Sequence, residues 1–442
     1  MHWGDAQGDP LGELLPPLSD HDAGVEANRC LYCFDAPCTH ACPTHIDIPK
    51  FIKKIASGNL IGSARTILDS NLLGATCARV CPVQELCEGA CVLGSDHNPI
   101  SIGRLQRYAT DFSASEGIDL IQRGKATGRR VAVVGAGAAG LSCAGELAKL
   151  GHEVVVFDRR DLAGGLSTYG IIKLREPIEI ALGEADMIGR MGVRFEYDKE
   201  LGQNLTLPEL QSDFDAIFLA LGLGWSPSLG IPGEDLIEDG LVVIERSKTD
   251  RGNLKIGREV IVIGAGNTAV DCATIAKRLG AESVTMAYRR TDQEMTAYDH
   301  EYEFIKLEGV AFKFLAQPTR VVHEGGKVTG LECVAVSLGE KDKSGRPMPV
   351  PIPDSDFILP ADQIIKAIGQ EKPAMGAKLG ILTNGGYLKV NDEFETNVEG
   401  VFAGGDCIRI AGSASTVMAV QDGKLAARAM HRRMVAQKVG VS

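Results

Sequence analysis

The sequence predicts an α/β fold in which an α-helical, cysteine-rich domain precedes two tandem Rossmann-like domains. Of the twelve cysteines in the 442 residues, eight fall between Cys30 and Cys91, among stretches that look helical. A strand, a glycine turn and a helix begin at Arg130, and the same pattern returns 129 residues later at Glu259. Strand–helix–strand units of this kind build parallel sheets, so two such units predict two sheets.

Length and charge restrict the class of protein. At roughly 100–200 residues per domain, the chain holds two to four compact units. It carries 46 Lys and Arg against 58 Asp and Glu, a net charge of -12, which is the wrong sign for binding nucleic acid or an anionic membrane. No uncharged apolar run reaches the ~18 residues of a membrane span, and nothing before Arg29 resembles a targeting peptide. We therefore expect a cytoplasmic protein that binds neither nucleic acid nor membrane.

The N-terminal part, residues 1–125, is predicted to be a small helical domain. Its first 28 residues contain several acids and prolines without periodicity, which predicts a loosely ordered arm. Beyond Cys30 the apolar residues recur at helical spacing. Pro49 suits the first turn of a helix, and residues 61–68 repeat an apolar face at three- and four-residue steps.

The remaining boundaries follow from the repeat. A glycine-rich segment at 124–128 ends the helical domain. We place the first Rossmann-like domain at 126–246 and the second at 247–369. Residues 370–442 are expected to return to the first domain and complete its site.

The first glycine turn runs from Gly135 to Gly140 and follows an apolar strand. Glycines at these positions allow a tight turn, a close approach to a pyrophosphate, and helix–strand contact. The next strand ends in Asp158, a carboxylate placed to accept hydrogen bonds from a ribose. The alternative is a glycine turn in a nucleotide-free core. The predicted contacts are Gly135, Gly137, Ala139, Gly140 and Asp158.

The second glycine turn begins at Gly264 and has no ribose-binding acid. The residue equivalent to Asp158 is Ala287, and Arg289 and Arg290 follow it. Guanidinium groups at a strand end suit a 2′-phosphate, so NADP(H) is favoured over NAD(H); the alternative is a basic pair facing solvent. The predicted contacts of this site are Gly264, Gly266, Asn267, Thr268, Arg289, Arg290 and Gly369.

Two dinucleotide sites in one chain predict hydride transfer from a nicotinamide to a second carrier, for which FAD is the usual choice. Thioredoxin-reductase-like enzymes share this layout, but they need a Cys-x-x-Cys pair near the flavin. The sequence has no such pair after Cys91. Electrons must then leave by another route, and the cysteine-rich domain offers one.

The eight clustered cysteines form two runs, each with a Cys-Pro step. Such runs are typical of proteins with two iron–sulfur clusters, in which one cysteine of a run reaches across to the other cluster. Two zinc sites of four cysteines are the main alternative, and disulfides are disfavoured because no export signal is present. The runs are Cys30-x2-Cys33-x4-Cys38-x3-Cys42 and Cys77-x3-Cys81-x5-Cys87-x3-Cys91.

These runs, together with residues 99–106, 164–168 and 404–406, resemble the dihydropyrimidine dehydrogenase family over essentially the whole chain after the acidic arm. The resemblance implies an electron-input subunit with FAD, NAD(P)H and two [4Fe-4S] clusters. Its partner would be a catalytic, PreA-like subunit that carries flavin mononucleotide and iron–sulfur clusters and reduces uracil or thymine, giving a hetero-oligomer. The small subunit of glutamate synthase is the alternative, but it typically has three residues where five separate Cys81 from Cys87.

The resemblance also implies roles for individual residues. Spacing alone favours Cys77 over Gln106 as the eighth cluster ligand, whereas the resemblance makes Cys77 a spectator. Thr296 replaces an arginine that reads the 2′-phosphate in the mammalian enzyme, so NADH is the alternative to NADPH. No catalytic acid or base is expected. The implied ligands are Cys30, Cys33, Cys38 and Cys91 for one cluster and Cys42, Cys81, Cys87 and Gln106 for the other, with FAD contacts at Gly165, Leu166, Arg175, Gly405, Asp406 and Thr416.

Overall fold

The computed structural model describes residues 8–342, 345–373, 375–409 and 414–439. Its helices are α1 Asp20–Asn28, α2 Pro37–Ala41, α3 Ile48–Ala56, α4 Leu60–Ser70, α5 Gly74–Val80, α6 Ile102–Ser115, α7 Ala138–Lys149, α8 Leu166–Tyr169, α9 Ile178–Arg190, α10 Leu207–Asp213, α11 Gly240–Thr249, α12 Asn267–Arg278, α13 Asp299–Leu307, α14 Met375–Lys378 and α15 Thr416–Val439. Its strands are β1 Arg130–Val134, β2 Glu153–Phe157, β3 Arg194–Glu196, β4 Ala216–Leu219, β5 Glu238–Asp239, β6 Glu259–Ile263, β7 Ser283–Tyr288, β8 Ala311–Phe314, β9 Ala316–Glu324, β10 Lys327–Lys341, β11 Pro347–Pro360, β12 Gln363–Lys366, β13 Thr383–Asn384, β14 Tyr387–Leu388 and β15 Val401–Ala403. Within these described ranges, no helix has the length and apolarity needed to cross a membrane.

The chain divides into two compact units. The larger unit joins the cysteine-rich helices to the first glycine turn, and the smaller unit contains the second glycine turn. The four domain boundaries drawn from the sequence stay a prediction. The larger unit comprises Leu15–Thr168, Arg175–Leu223 and 372–439, and the smaller unit comprises 8–14, Tyr169–Leu174 and Gly224–Glu371.

The larger unit is built on a parallel five-stranded sheet in the order β15-β4-β1-β2-β3. The apolar residues of β1 are buried, as expected for a parallel sheet covered on both faces. Strand β15 pairs with β4, with Val401 opposite Ile217, so the C-terminal segment completes this sheet. Helix α15 then packs on α7, where the Ser142 hydroxyl donates a hydrogen bond to the Val420 carbonyl at 2.7 Å.

The smaller unit repeats this arrangement in a second parallel sheet, ordered β5-β12-β6-β7-β8. Helices α7 and α12 have the same length and begin 129 residues apart, the offset of the glycine turns. The predicted α/β class with two Rossmann-like sheets is therefore confirmed. The sequence analysis did not predict the separate antiparallel sheet β11-β10-β9.

The cysteine-rich segment is helical, as predicted. Helix α3 begins where Asp47 accepts a hydrogen bond from the Lys50 amide at 3.2 Å, and proline lies in its first turn. Its apolar stripe, which includes Phe51 and Ile52, packs against Ile67 of α4 in one buried cluster. This domain thus has a small apolar core of its own beside the cysteines.

The prediction of a loosely ordered arm over residues 1–28 was wrong for its second half. Helix α1 begins after Ser19, whose hydroxyl accepts a hydrogen bond from the Asp22 amide at 3.1 Å. Its buried positions are Ala23 and Ala27, one turn apart. A stripe made only of alanine has almost no apolar periodicity, so the pattern gave no helical signal. Residues 1–7 lie outside the described residues.

A buried carboxylate joins α9 to the cysteine-bearing helix α5. Helix α5 has no side-chain cap of its own, and Glu184 accepts hydrogen bonds from the amides of Ala75, at 2.7 Å, and Thr76. A negative group at a helix N-terminus is favourable. Burial raises the pKa of Glu184 to about 8, and the nearby Glu176 carboxylate raises it further, while the bonds from Thr76 oppose the shift.

This pKa predicts how Glu184→Gln changes stability with pH. The carboxyl has a folded pKa of about 8 and an ordinary value near 4.5, so between these values the folded state binds more protons than the unfolded state. The free energy of unfolding of the parent protein therefore falls as pH rises through this window. Glutamine keeps an acceptor for the Ala75 amide but does not ionise. We expect the stability of the variant to depend much less on pH. At pH 8 its free energy of unfolding should exceed that of the parent by on the order of a few kcal/mol.

Urea unfolding of the apoprotein at pH 5 and pH 8 measures this difference. Equal slopes of stability against pH for the parent and the variant would contradict the account.

Candidate functional site

The two glycine turns share one local reason for glycine. Gly135 has φ +107°, and a Cβ there would lie 2.2 Å from the carbonyl oxygen of Ala220, just after β4. Gly264 has φ +133°, and its Cβ would lie 2.2 Å from the carbonyl oxygen of Ala367, just after β12. In each unit the turn therefore passes directly over the end of the neighbouring strand. This is the edge of a parallel sheet at which dinucleotides bind.

A second close approach shapes the cradle of the larger unit. Gly137 precedes α7 and provides no side-chain cap, so the first amides of α7 stay available to a ligand. Gly165 has φ +58°, and a Cβ there would lie 2.7 Å from the Cα of Gly137. The loop before α8 therefore meets the glycine turn backbone to backbone. This side-chain-free cradle fits a pyrophosphate, and with Asp158 beside it the larger unit fits FAD.

Asp158 lies at the predicted strand end, and it also holds the glycine turn. Its two oxygens accept hydrogen bonds from the amides of Ala136, at 2.6 Å, and Arg160, at 2.8 Å. Burial raises the pKa of Asp158, although these two bonds act in the opposite direction. A carboxylate has about four acceptor sites, so two are left for ribose hydroxyls.

The C-terminal residues predicted to contact FAD lie beside the same turn. A Cβ on Gly405 would lie 2.9 Å from the Cβ of Ala139, in the first turn of α7. The Gly405 amide donates to Asp422 at 3.1 Å, and Asp422 pairs with Arg409. Burial raises the pKa of Asp422 to about 6, although the charge of Arg409 opposes this shift. Burial also raises the pKa of Asp406.

Three other predicted FAD contacts lie at or near the starts of helices. Leu166 is exposed at the start of α8, and Arg175 is half-buried before α9. Thr416 is the first residue of α15, and residues 414 and 415 separate it from residues 410–413, which lie outside the described residues. Gly140 packs inside the turn, since a Cβ there would lie 1.8 Å from the Gly135 carbonyl oxygen.

The second glycine turn presents a polar atom with no protein partner. Gly266 precedes α12 without a side-chain cap, and Oδ1 of Asn267 is buried and accepts no hydrogen bond from the described residues. A buried acceptor of this kind needs a donor, which fits a bound dinucleotide. Thr296 also borders the turn, because a Cβ on Gly266 would lie 3.0 Å from its Oγ1. Thr268 is half-buried in the same first turn of α12.

Space is also open at the end of β12. Gly369 has φ +99°, and among the described residues no atom outside its chain neighbours lies within 4 Å of its ideal Cβ. The structure thus brings the second turn and Gly369 to the same edge of the sheet, three residues beyond the last residue of β12.

The structure separates the two arginines predicted to bind a 2′-phosphate. Arg290 is buried; its Nε donates to the Pro347 carbonyl at 2.8 Å, and its guanidinium pairs with Asp342 at 3.4 Å. These bonds tie the end of β7 to the β10–β11 hairpin. Arg289 is exposed, and partial burial followed by the charge of Arg290 lowers its pKa. Arg289 is therefore the member of the pair that a phosphate can reach.

The first group of cysteines comes from both sequence runs. Burial raises the pKa of Cys30, and the neighbouring Cys33 and Cys91 thiols raise it further. Burial raises the pKa of Cys38 to about 11, with contributions from Cys91 and Cys30. Thiols that act on one another's pKa lie close together, and neighbouring cysteines are the ligands of iron–sulfur clusters, so this group fits the cluster that the resemblance implies.

The second group joins Cys42 to the later run. A hydrogen bond with Cys77 raises the pKa of Cys81, followed by burial and by the thiols of Cys77, Cys87 and Cys42. Burial also raises the pKa of Cys87, and the charges of Glu88 and Cys42 raise it further. In the described part of the chain, no three His, Cys, Asp or Glu side chains lie close enough together to share a single metal ion.

Both candidates for the eighth ligand are buried near this group. Cys77 makes the hydrogen bond with Cys81, whereas Gln106 donates its Nε2 hydrogen bond to the Gly74 carbonyl at 2.7 Å. That bond fixes the carboxamide and leaves Oε1 as its remaining donor atom for a metal. The choice between them stays a prediction.

Sequence reasoning missed three buried charged residues around these sites: Glu184, Asp422 and Lys424. Burial lowers the pKa of Lys424 to about 8, and the charge of Arg428 lowers it further. The available signal was the presence of two charges, Asp422 and Lys424, within the otherwise uncharged stretch 417–427.

The close approach of Gly165 predicts a selective loss of flavin. Gly165→Ala forces a Cβ against Gly137 at a positive φ, so the cradle must open and flavin bound per chain falls strongly. Gly183→Ala is the matched control. A Cβ at Gly183 meets nothing within 4 Å, and alanine within a helix is favoured over glycine by about 0.5–1 kcal/mol. Flavin absorbance of the purified proteins gives the comparison, and equal flavin content in both variants would contradict the cradle.

Two family models match the chain. Residues 9–118 match "Dihydropyrimidine dehydrogenase domain II, 4Fe-4S cluster", and residues 129–423 match "Pyridine nucleotide-disulphide oxidoreductase". The chain is 35% identical to the glutamate synthase [NADPH] small chain of Escherichia coli, covering 94% of this chain and 92% of that protein. It is 34% identical to the NAD-dependent dihydropyrimidine dehydrogenase subunit PreT of Escherichia coli, covering 95% and 96%. The predicted resemblance is confirmed, and its alternative is matched at a similar level.

Solved structures support the same fold. FprA of Mycobacterium tuberculosis superposes with a TM-score of 0.58 at 17% identity, covering 71% of this chain and 86% of that one. Thioredoxin reductase of T. acidophilum superposes with a TM-score of 0.53 at 23% identity, covering 70% and 99%. The chain therefore belongs to the pyridine nucleotide–disulphide oxidoreductase family, in the group whose N-terminal segment is the iron–sulfur domain of dihydropyrimidine dehydrogenase.

Proposed function

We propose that this chain is the electron-input subunit of a dihydropyrimidine dehydrogenase. It takes electrons from NAD(P)H through a bound FAD and two [4Fe-4S] clusters to a partner subunit that reduces uracil or thymine. One observation carries the proposal: a single compact unit contains both the FAD-type glycine cradle and the two groups of cysteines. Electrons that enter at a flavin and leave through iron–sulfur clusters need the flavin site and the cluster ligands in the same compact unit.

The relatives support two versions of this function. The match to subunit PreT extends over nearly all of both chains, and the spacing of Cys81 and Cys87 favours that family. The second candidate is a small subunit of glutamate synthase, which the similar identity to the Escherichia coli small chain favours. The two versions differ in the partner and its substrate, whereas the electron-input role is common to both.

For the clusters, we propose the ligand sets that the resemblance implies. Cys30, Cys33, Cys38 and Cys91 hold one [4Fe-4S] cluster, in agreement with the first group of neighbouring thiols. Cys42, Cys81 and Cys87 hold the second with Gln106, whose carboxamide is fixed by Gly74.

For the nucleotide, we propose NADPH, with NADH as the alternative. Arg289 is exposed at the end of β7 and supplies the positive charge for a 2′-phosphate. The relatives themselves divide, since one is named for NADPH and the other for NAD.

We propose that the chain works in a hetero-oligomer with a PreA-like catalytic subunit containing flavin mononucleotide and iron–sulfur clusters. Two of the relatives are named as a subunit or a small chain, which agrees with a partner. A cytoplasmic location stays a prediction.

The ligand assignment predicts different iron contents for two cysteine variants. Cys42→Ala removes a ligand and a staple of the helical domain, so it should lose one cluster and about half of the iron. Cys77→Ala should keep all of it. Iron analysis of the anaerobically purified proteins compares them, and equal loss in both variants would rule out Gln106 as the eighth ligand.

The two arginines predict separable effects. Arg289→Ala should weaken the binding of NADPH by about 1.5–3 kcal/mol, because a charge-assisted hydrogen bond to the 2′-phosphate is lost. The binding of NADH should stay unchanged. Arg290→Ala should instead lower the melting temperature, since the bonds of its guanidinium to the Pro347 carbonyl and the Asp342 carboxylate are lost. Steady-state kinetics with both nucleotides and thermal unfolding test this. Unchanged nucleotide preference in Arg289→Ala would show that this side chain faces solvent.

The function itself is tested with the chain alone and with a partner. The purified subunit should oxidise NAD(P)H with an artificial acceptor but should leave uracil unreduced, because pyrimidine reduction needs a further flavin site with a positioned acid. Adding a PreA-like subunit should produce dihydrouracil. Dihydrouracil formation by the subunit alone would overturn the proposed division of roles, and glutamate formation with a glutamate synthase large subunit would favour the second candidate.

A further inference from the structure

We propose that Lys424 is a positioning residue for electron transfer, whose buried ammonium holds the loop after Cys42 and places a positive charge beside the cluster bound there. This inference rests on the proposed function and concerns one residue within it. Neither the glycine turns nor the cysteine runs include Lys424, which lies on α15, far along the chain from Cys42.

Within the described residues, Lys424 is a buried lysine whose hydrogen bonds go to backbone oxygens. Its side chain is 7% exposed, and Nζ donates to the carbonyls of Thr44 and Ser70, each at 2.9 Å. Across the described ranges, no carboxylate forms an ion pair with it. Lysines are rarely buried, and an ammonium without a counter-ion is costly to bury. The site therefore has an excess positive charge.

The surrounding charges do not neutralise this excess. Among the carboxylates, Glu146 acts on Lys424 by its charge. Glu146 is already paired with Lys149 at 2.8 Å and with Arg428 at 2.9 Å. The Cys42 side chain also acts on Lys424. A cysteine-ligated cluster carries net negative charge, so its presence would supply the missing counter-charge.

Three consecutive residues of α15 connect the flavin cradle to this loop. Asp422 accepts the hydrogen bond from the Gly405 amide, and a Cβ on Gly423 would lie 2.1 Å from the Ala139 carbonyl oxygen. Lys424 then reaches the carbonyl of Thr44, two residues after Cys42. One helical turn therefore fixes both the flavin cradle and the cluster loop.

The charge has a direct consequence for electron transfer. Adding one electron makes the cluster more negative, and a fixed ammonium nearby in a low dielectric stabilises that reduced state. The reduction potential of the cluster is therefore higher with Lys424 than without it. A higher potential favours the passage of electrons from the flavin to this cluster.

The test compares four variants of the full chain loaded with its cofactors. Lys424→Met removes both the charge and the bonds, Lys424→Gln removes the charge but keeps a donor, and Lys424→Arg keeps the charge. Lys149→Met is the matched control, because Lys149 donates to the Asp69 carbonyl, adjacent to that of Ser70, but is paired with Glu146. Each protein is titrated anaerobically while electron paramagnetic resonance follows both clusters.

We expect both neutral variants to lower the reduced fraction of one cluster. A ten-fold fall in its ratio of reduced to oxidised forms at fixed potential corresponds to a shift of 59 mV. The other cluster should keep its reduction potential in these variants. In Lys424→Arg and Lys149→Met, both clusters should keep the potentials of the parent protein. Selective loss of iron from the same cluster in both neutral variants, with retention in Lys424→Arg, would equally support the role.

Unchanged iron content and potentials in both neutral variants would overturn the inference, and so would an equal shift in Lys149→Met. Failure of the proposed function looks different: the unmodified chain would then contain no flavin or no iron–sulfur signal at all.

Discussion

The close contact between α15 and α7 is the constraint on which the larger unit depends. Gly423 allows it, since a side chain there would clash with the Ala139 carbonyl and lie 2.9 Å from the Cys143 amide. Because the two backbones meet, the residues on either side of Gly423 have fixed targets. Asp422 holds Gly405 in the flavin cradle, and Lys424 holds the loop that follows Cys42. The position of the C-terminal helix thus sets both sites.

Two buried ionisable side chains at helix ends join the cysteine-bearing helices to the rest of the larger unit. Glu184 lies at the N-terminus of α5, and Lys424 lies at the C-terminus of α4, which has no basic residue in its own last turn. The ionised form of each side chain would match the dipole of its helix. Their burial opposes ionisation, which explains the raised pKa of Glu184 and the lowered pKa of Lys424. The polar contacts therefore orient the cluster-bearing helices while the apolar core supplies most of the stability.

The sequence predicted the fold class because its strongest patterns are local and repeated. A few adjacent residues specify each strand, the glycine turn that begins at Gly135 or Gly264, and the helix that follows. The two parallel sheets could therefore be predicted. Contacts between distant segments could not. The alanine face of α1 gave no periodic signal, and the role of Arg290 depends on a hairpin 57 residues away. Likewise, the unsatisfied Oδ1 of Asn267 and the burial of Lys424 are properties of packing rather than of sequence pattern.

The central claim is that one unit of this chain carries electrons from a flavin to iron–sulfur clusters. Anaerobic addition of NADPH to the purified chain, followed by visible absorbance and electron paramagnetic resonance, tests it most directly. The account predicts that the flavin band bleaches and that signals of reduced [4Fe-4S] clusters appear in the same sample. A chain whose flavin bleaches without any cluster signal, or whose cysteines hold zinc in place of iron, would contradict it.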